Sequence, residues 1–272
     1  MSEPATIITA PDGSAAVVQR LGAQVTSWIP AGGAEQFFFG QHARLGEHAV
    51  MGGVPVLFPQ FADVGPLPHH GFARDLPWTP AARSTEGGVQ RGVFLLEEPG
   101  WGTRWPHAFR LELTVEVGGP RLSVSLAVQN SGTRTWYFTG GLHTYLGVAD
   151  IGAVRLDGLQ GLVYRDKTQG HKEITQSEAD LVVAAETDRV YLAAPDRLVL
   201  REPGREVAVT TTGFPDVVVW NPWDGAEQRF KEFGPGDYRR MLCVEAVTIG
   251  TPPVLEPGQQ WHGSQTLTWS KT

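Results

Sequence analysis

Cysteine is nearly absent. Cys243 stands alone among 272 residues, so no disulfide closes within the chain, and a single thiol between Leu242 and Val244 reads as a small core hydrophobe in a reducing compartment. Long apolar runs are missing too: nothing approaches the roughly 18 apolar residues of a membrane span. The N-terminal MSEPATIITAPDG has no basic segment followed by an apolar one, so no secretory leader is expected. Positive charge is sparse, with 22 Lys and Arg against 29 Asp and Glu and a formal net charge of −7. That leaves no broad basic surface for a nucleic acid, although a few arginines could still hold a small anion. GxxxxGK(S/T), GxGxxG after a strand, HExxH and CxxC are all absent, and the eight histidines are scattered. The one adjacent pair, His69-His70, would point its rings apart in an extended chain. A metal site is therefore not expected, and the chain reads as a soluble, cytoplasmic protein without nucleic-acid or membrane partners.

Turn residues and period-two alternation are what the sequence has. Glycine (33) and proline (20) are frequent and 41% of the residues are hydrophobic, which suits a turn-rich globular fold. In FRLELTVEV the apolar Phe109, Leu111, Leu113, Val115 and Val117 alternate with Arg110, Glu112, Thr114 and Glu116, as in a strand with one buried face. A Gly-Gly-Pro turn follows, and RLSVSLAVQN alternates again, which predicts an antiparallel hairpin. Comparable short runs recur to the C-terminal WHGSQTLTWS, each bounded by turn residues, while no apolar stripe of helical period lasts a dozen residues. The expectation is all-β: one large antiparallel β-sandwich spanning 1–272, with few short helices.

Five stretches carry polar residues where strands meet loops. PHHGFARDLPW holds His69, His70 and Arg74; the guanidinium fork can grip a carboxylate, hydroxyl or phosphate, or the whole can be a loop packed by Phe72 and Trp78. In GGLHTYLGVADI, His143 lies within a strand-like run, as a proton donor near neutral pH or as a core histidine bonded to a carbonyl. In RRMLCVEAV, Glu245 either faces outward or is a carboxylate set into an apolar wall, where burial would raise its pKa and make it a usable base. Asp188 in AETDRVYLA, just before a strand, can bond sugar hydroxyls or simply start that strand. VVVWNPWDG offers Trp220, Trp223 and Asn221 for stacking on a sugar ring or for the core.

The order of these motifs is more specific than any one of them. HGFAR.LPW, LHTYLGVADI with V.L.GL.G..YRDK, TDRVY, VVWNP, CVEAV and a closing L.PGQ.W follow one another between His70 and Trp261, within a likeness that runs from about Gly22 to Trp269. In this order they resemble the glucose-6-phosphate 1-epimerase branch of the aldose 1-epimerase, or galactose mutarotase-like, family. The resemblance implies a galactose mutarotase-like supersandwich with an open cleft, and interconversion of the α and β anomers of a sugar or sugar phosphate without metal or organic cofactor. It further implies His143 as general acid, Glu245 as general base, His69, Arg74 and Asp188 as substrate contacts, and His70 as a cleft residue. In that scheme His143 is cationic at rest, supported by a carboxylate such as Glu245 or Asp188. A monomer is expected.

Two positions depart from the branch. It usually reads RGG.P before the first loop, where this chain has Met51-Gly52-Gly53-Val54-Pro55, and His69 replaces a frequent glutamine. Either another cation, such as Arg44 or Arg74 alone, holds a phosphate, or the sugar is unphosphorylated. A carbohydrate-binding protein with idle acid and base is the non-enzymatic alternative, and a structural sandwich domain without sugar affinity is a third.

Overall fold

The computed structural model describes residues 5–46, 48–98 and 100–272; the other positions, among them the first four of the N-terminal segment and Pro99, lie outside the described residues. Strands dominate, as the period-two runs require. Among the described residues helix is confined to one α-helical turn, Ala226–Arg229, and four short 3-10 turns.

Two large antiparallel sheets form the body. The nine-stranded sheet runs in the order Asp180–Leu181, Arg155–Asp157, Arg197–Glu202, Arg205–Thr212, Gln260–Lys271, Arg121–Asn130, Phe109–Gly118, Val89–Glu98, Thr79–Glu86. At its centre the expected hairpin forms, with Phe109 opposite Asn130 and Gly118 opposite Arg121. Phe109, Leu111, Leu113, Val115 and Val117 are all buried while Arg110 and Glu112 reach toward solvent. The edge strand Thr79–Glu86 is exposed at every position. Its TPAARSTE carries no apolar alternation, which is why the sequence pattern does not reveal it.

The eight-stranded sheet runs Lys172–Thr175, Val163–Asp166, Thr187–Tyr191, Asp216–Asn221, Met241–Thr248, Gly140–Leu142, Val56–Leu57, with Tyr145–Gly147 also paired to Met241–Thr248. Asp188 is the second residue of Thr187–Tyr191 rather than a residue preceding it. Inward residues of both sheets, such as Leu111, Leu113, Val219, Leu242 and Val244, share one apolar core.

Met241–Thr248 is buried at all eight positions because both its faces are covered. Leu242, Val244 and Ala246 join the common core. On the outer face Met241 and Cys243 pack with Phe38, Tyr145 and Phe233, while Val247 packs with Leu57, Phe61, Val190 and Val218. Glu245 falls between these two clusters on that outer face. Cys243 is the core hydrophobe expected, and burial pushes its thiol pKa up, which keeps it protonated and inert.

Candidate active site

Register brings His143 and Glu245 together. Leu142 pairs with Ala246 and Tyr145 with Cys243, so counting inward places His143 opposite Glu245 and Thr144 opposite Val244. Directly opposed residues of antiparallel strands project to the same face. Two residues before His143, a side chain on Gly141 would lie 2.1 Å from the Ala246 carbonyl oxygen, so only glycine allows this close crossing. The His143 amide is held on its other side by the Pro55 carbonyl at 3.0 Å. His143 Nε2 then sits 3.4 Å from Glu245 Oε1, and the two residues are 7% and 2% exposed. His143 Nδ1 and Glu245 Oε2 have no hydrogen-bond partner among the described residues. Two unpartnered buried polar atoms on adjacent side chains are costly unless a ligand satisfies them.

The electrostatics act against charge on this pair. Burial, followed by the Arg74 guanidinium, brings the His143 pKa down to about 3. Burial, followed by the Asp188 carboxylate, pushes Glu245 well above the usual carboxylate range. The expectation of a cationic His143 at rest is thus corrected: desolvation outweighs the neighbouring carboxylate, and the empty site favours an uncharged imidazole beside a protonated carboxyl.

The HHG turn supplies a second wall. His70 and Gly71 both take left-handed conformations, at φ 66° and 75°, and a Cβ on Gly71 would sit 2.2 Å from the Phe58 carbonyl oxygen. The tight turn, not an extended chain, brings the His69 and His70 rings to 4.0 Å between centroids instead of pointing them apart. The His70 ring lies edge-on to His143 at 5.4 Å. Its Nδ1 accepts a hydrogen bond from the Ala62 amide at 3.0 Å. That bond requires an unprotonated Nδ1, and burial, followed by the neighbouring imidazole of His143, lowers the pKa in the same direction. The proton therefore resides on Nε2, which makes His70 a neutral donor. His69 is half exposed and bonded to Asp63 at 3.0 Å. Arg74, in the 3-10 turn Ala73–Asp75, donates from Nη2 to the His69 carbonyl at 2.8 Å; its Nε is buried without a hydrogen-bond partner among the described residues, 3.9 Å from Asp75 Oδ2.

These groups line one cavity of about 490 Å³, within the usual range for a small-molecule site. His69, His70, Arg74, His143, Asp188 and Glu245, the six residues singled out in the sequence, all border it. Lys167 completes it: its Nζ lies 2.9 Å from Asp188 Oδ2, leaving Asp188 Oδ1 buried and without a partner among the described residues. Burial raises the Asp188 pKa and Lys167 opposes that rise. Tyr145, Phe61, Val218, Trp220 and Phe230 give an apolar floor, with the His143 ring stacked on Tyr145 at 4.6 Å. Met51, His48 and Glu232 form part of the rim. Glu232 accepts from the Met51 amide at 2.7 Å and lies 3.4 Å from His48 Nε2.

Some residues considered from the sequence stay out of the cavity. Trp223 packs against Tyr238, and Asn221 is fully buried, donating to the carbonyls of Tyr238 and Met241. Arg44 is exposed and does not line the cavity. Lys167 was missed although YRDK was visible, because a lysine beside a loop has no periodicity to set it apart; only its position in the motif run marks it.

A family model described as aldose 1-epimerase matches residues 5–268, nearly the whole chain. The chain belongs to the aldose 1-epimerase family. It is therefore an isomerase of the epimerase and mutarotase type, and a sugar is its class of substrate. A Cenchrus ciliaris protein named "Putative glucose-6-phosphate 1-epimerase" is 34% identical over 254 residues, covering 89% of this chain and 77% of its own length. An Escherichia coli K12 protein of the same name is 30% identical over 256 residues, with 92% and 85% covered. The crystal structure of a "putative mutarotase" from Salmonella typhimurium superposes with a TM-score of 0.89 at 28% identity, covering 98% of this chain and 90% of that one. The β-sandwich expected from alternation is thus the sandwich of this aldose 1-epimerase family.

Proposed function

We propose that this family member interconverts the α and β anomers of a hexose 6-phosphate, with Glu245 as the base at the O1 hydroxyl and His143 as the acid at the ring oxygen. Opening a pyranose requires a proton to leave O1 while another reaches O5. Glu245 takes the O1 proton, the C1–O5 bond breaks as the C1 carbonyl forms, and His143 delivers a proton to O5. Glu245 is then protonated and His143 neutral. Rotation about C1–C2 and closure with the roles reversed regenerate both groups. Because the empty pair rests uncharged, the cycle starts once substrate hydroxyls meet the unsatisfied His143 Nδ1 and Glu245 Oε2 and one proton passes from Glu245 to His143; the open aldehyde then faces the uncharged pair, ring closure returns the charged form, and the proton goes back to Glu245 when product leaves. The observation that carries this reading is the buried, in-register His143–Glu245 contact at 3.4 Å, each partner keeping one unsatisfied polar atom.

Asp188 Oδ1 and the His70 Nε2 proton would meet sugar hydroxyls, with His69 beside them at the rim, and Trp220 offers an apolar face to the ring. Arg74 and Lys167 are the cations available to a phosphate, and the names of the curated relatives favour a 6-phosphate. The rim favours a second reading, an unphosphorylated aldose: Met51 brings no charge where the branch usually has arginine, and Glu232 adds a carboxylate close by. Anomer exchange by NMR, comparing glucose 6-phosphate, glucose and galactose, decides between them. A kcat/KM for glucose 6-phosphate at least about tenfold above that for glucose is expected, the worth of one charge-assisted hydrogen bond. Equal acceleration of both would assign the unphosphorylated sugar.

A further inference from the structure

Gln265 is a polar residue at an inward position of the nine-stranded sheet. It lies in Gln260–Lys271 between the inward Gly263 and Leu267, with Val124 and Thr211 as its cross-strand neighbours, and it is 2% exposed. Its side chain crosses the core to the other sheet. Oε1 accepts from the Thr144 hydroxyl, and Nε2 donates to the Val244 carbonyl at 3.0 Å. Thr144 follows His143 and Val244 precedes Glu245. One amide therefore holds both backbones that carry the pair.

The ladder is irregular at this point. The Val244 amide donates to the Thr144 carbonyl at 3.1 Å, but the bond to the Val244 carbonyl comes from Gln265 rather than from the Thr144 amide. An amide buried among apolar side chains is costly unless both its ends are bonded, and here both are spent on the two residues next to the pair. Thr144 is itself fully buried, so water cannot replace the link. A valine or leucine would satisfy the sheet's alternation at 265 without joining the sheets in this way.

We propose that Gln265 is a positioning residue that sets the separation and orientation of His143 and Glu245 by clamping Thr144 to Val244 from the opposite sheet. This rests on the proton-transfer reading above. Losing the clamp frees the backbone on which a 3.4 Å contact depends, and misplacement by about 1 Å costs up to about 100-fold in rate.

The test is anomer exchange on the purified full chain, with kcat and KM taken separately and thermal melts run alongside. Gln265→Leu and Thr144→Val should each lower kcat by about 10- to 100-fold with KM within about twofold. Their combination should be no worse than the weaker single variant, because both cut one link, and Thr144→Ser should restore wild-type kcat. Should Gln265→Leu not fold, Thr144→Val alone carries the test. A wild-type kcat in the folded variants, or two additive losses, overturns the proposal. His143→Ala and Glu245→Gln in the same assay separate the two claims. If they keep activity, the proton-transfer reading fails; if they lose it while Gln265→Leu does not, only the clamp fails.

Discussion

The two sheets of this sandwich are built on different terms. The nine-stranded sheet has uninterrupted ten-residue strands, Phe109–Gly118 and Arg121–Asn130, whose apolar side chains point into one core. The eight-stranded sheet is partly assembled from pieces of two or three residues, Val56–Leu57, Gly140–Leu142 and Tyr145–Gly147, set around the fully buried Met241–Thr248. A regular ladder satisfies its own backbone and stabilises through burial. A broken one leaves room for a histidine, a carboxylate and an unsatisfied oxygen on a covered face, and draws bonds from elsewhere, as it does from Gln265. Stability is concentrated where the alternation is cleanest, and chemistry where it fails.

Substitutions on the two sheets should therefore behave differently. The largest effect is expected at the pair: His143→Ala or Glu245→Gln should cut the exchange rate by about 10²- to 10⁴-fold, the usual contribution of a general acid or base. Melts should show both proteins still folded. Next comes the opposite case, Leu111→Ala on the regular sheet. Leu111 is fully buried, so about 2–5 kcal/mol of stability should be lost in urea titrations, with kcat per folded molecule unchanged.

A pH effect follows from His70. Its folded pKa lies below the unfolded value of 6.5, so the unfolded chain binds more protons at pH values between the two. The stabilising contribution is complete above about pH 6.5 and falls with acidification, by up to about 1.4 kcal/mol per pH unit. His70→Gln should flatten the loss of stability between about pH 7 and about pH 5 in paired urea titrations; parallel curves would mean that His70 is not held neutral. The smallest effect belongs to the exposed edge, where Ser84→Ala in Thr79–Glu86 should change stability by less than about 0.5 kcal/mol and leave exchange untouched.

What could be read in the sequence follows the same division. The hairpin was legible because five alternating apolar residues before a Gly-Gly-Pro turn and four after it admit few other structures. The edge strand was not, because both its faces meet solvent. For the site, the motif order located His143, Glu245, Asp188, Arg74, His69 and His70, and all six border one cavity. Three features lay beyond one-dimensional pattern. Glu245 is both outward and buried, because two apolar clusters flank it on the sheet's outer face. Charge at His143 is set by desolvation, which depends on packing. Gln265 in WHGSQTLTWS looked like any strand residue, since its partners lie 121 and 21 positions away in the chain.

The most direct test of the account separates chemistry from binding at Glu245. Anomer exchange and sugar affinity are measured side by side on wild type and Glu245→Gln, with glucose 6-phosphate as the ligand. The account predicts that exchange falls by at least about 100-fold while affinity stays within about threefold, because glutamine keeps the shape and an acceptor but cannot take the O1 proton. Exchange at the wild-type rate in the folded variant would contradict it.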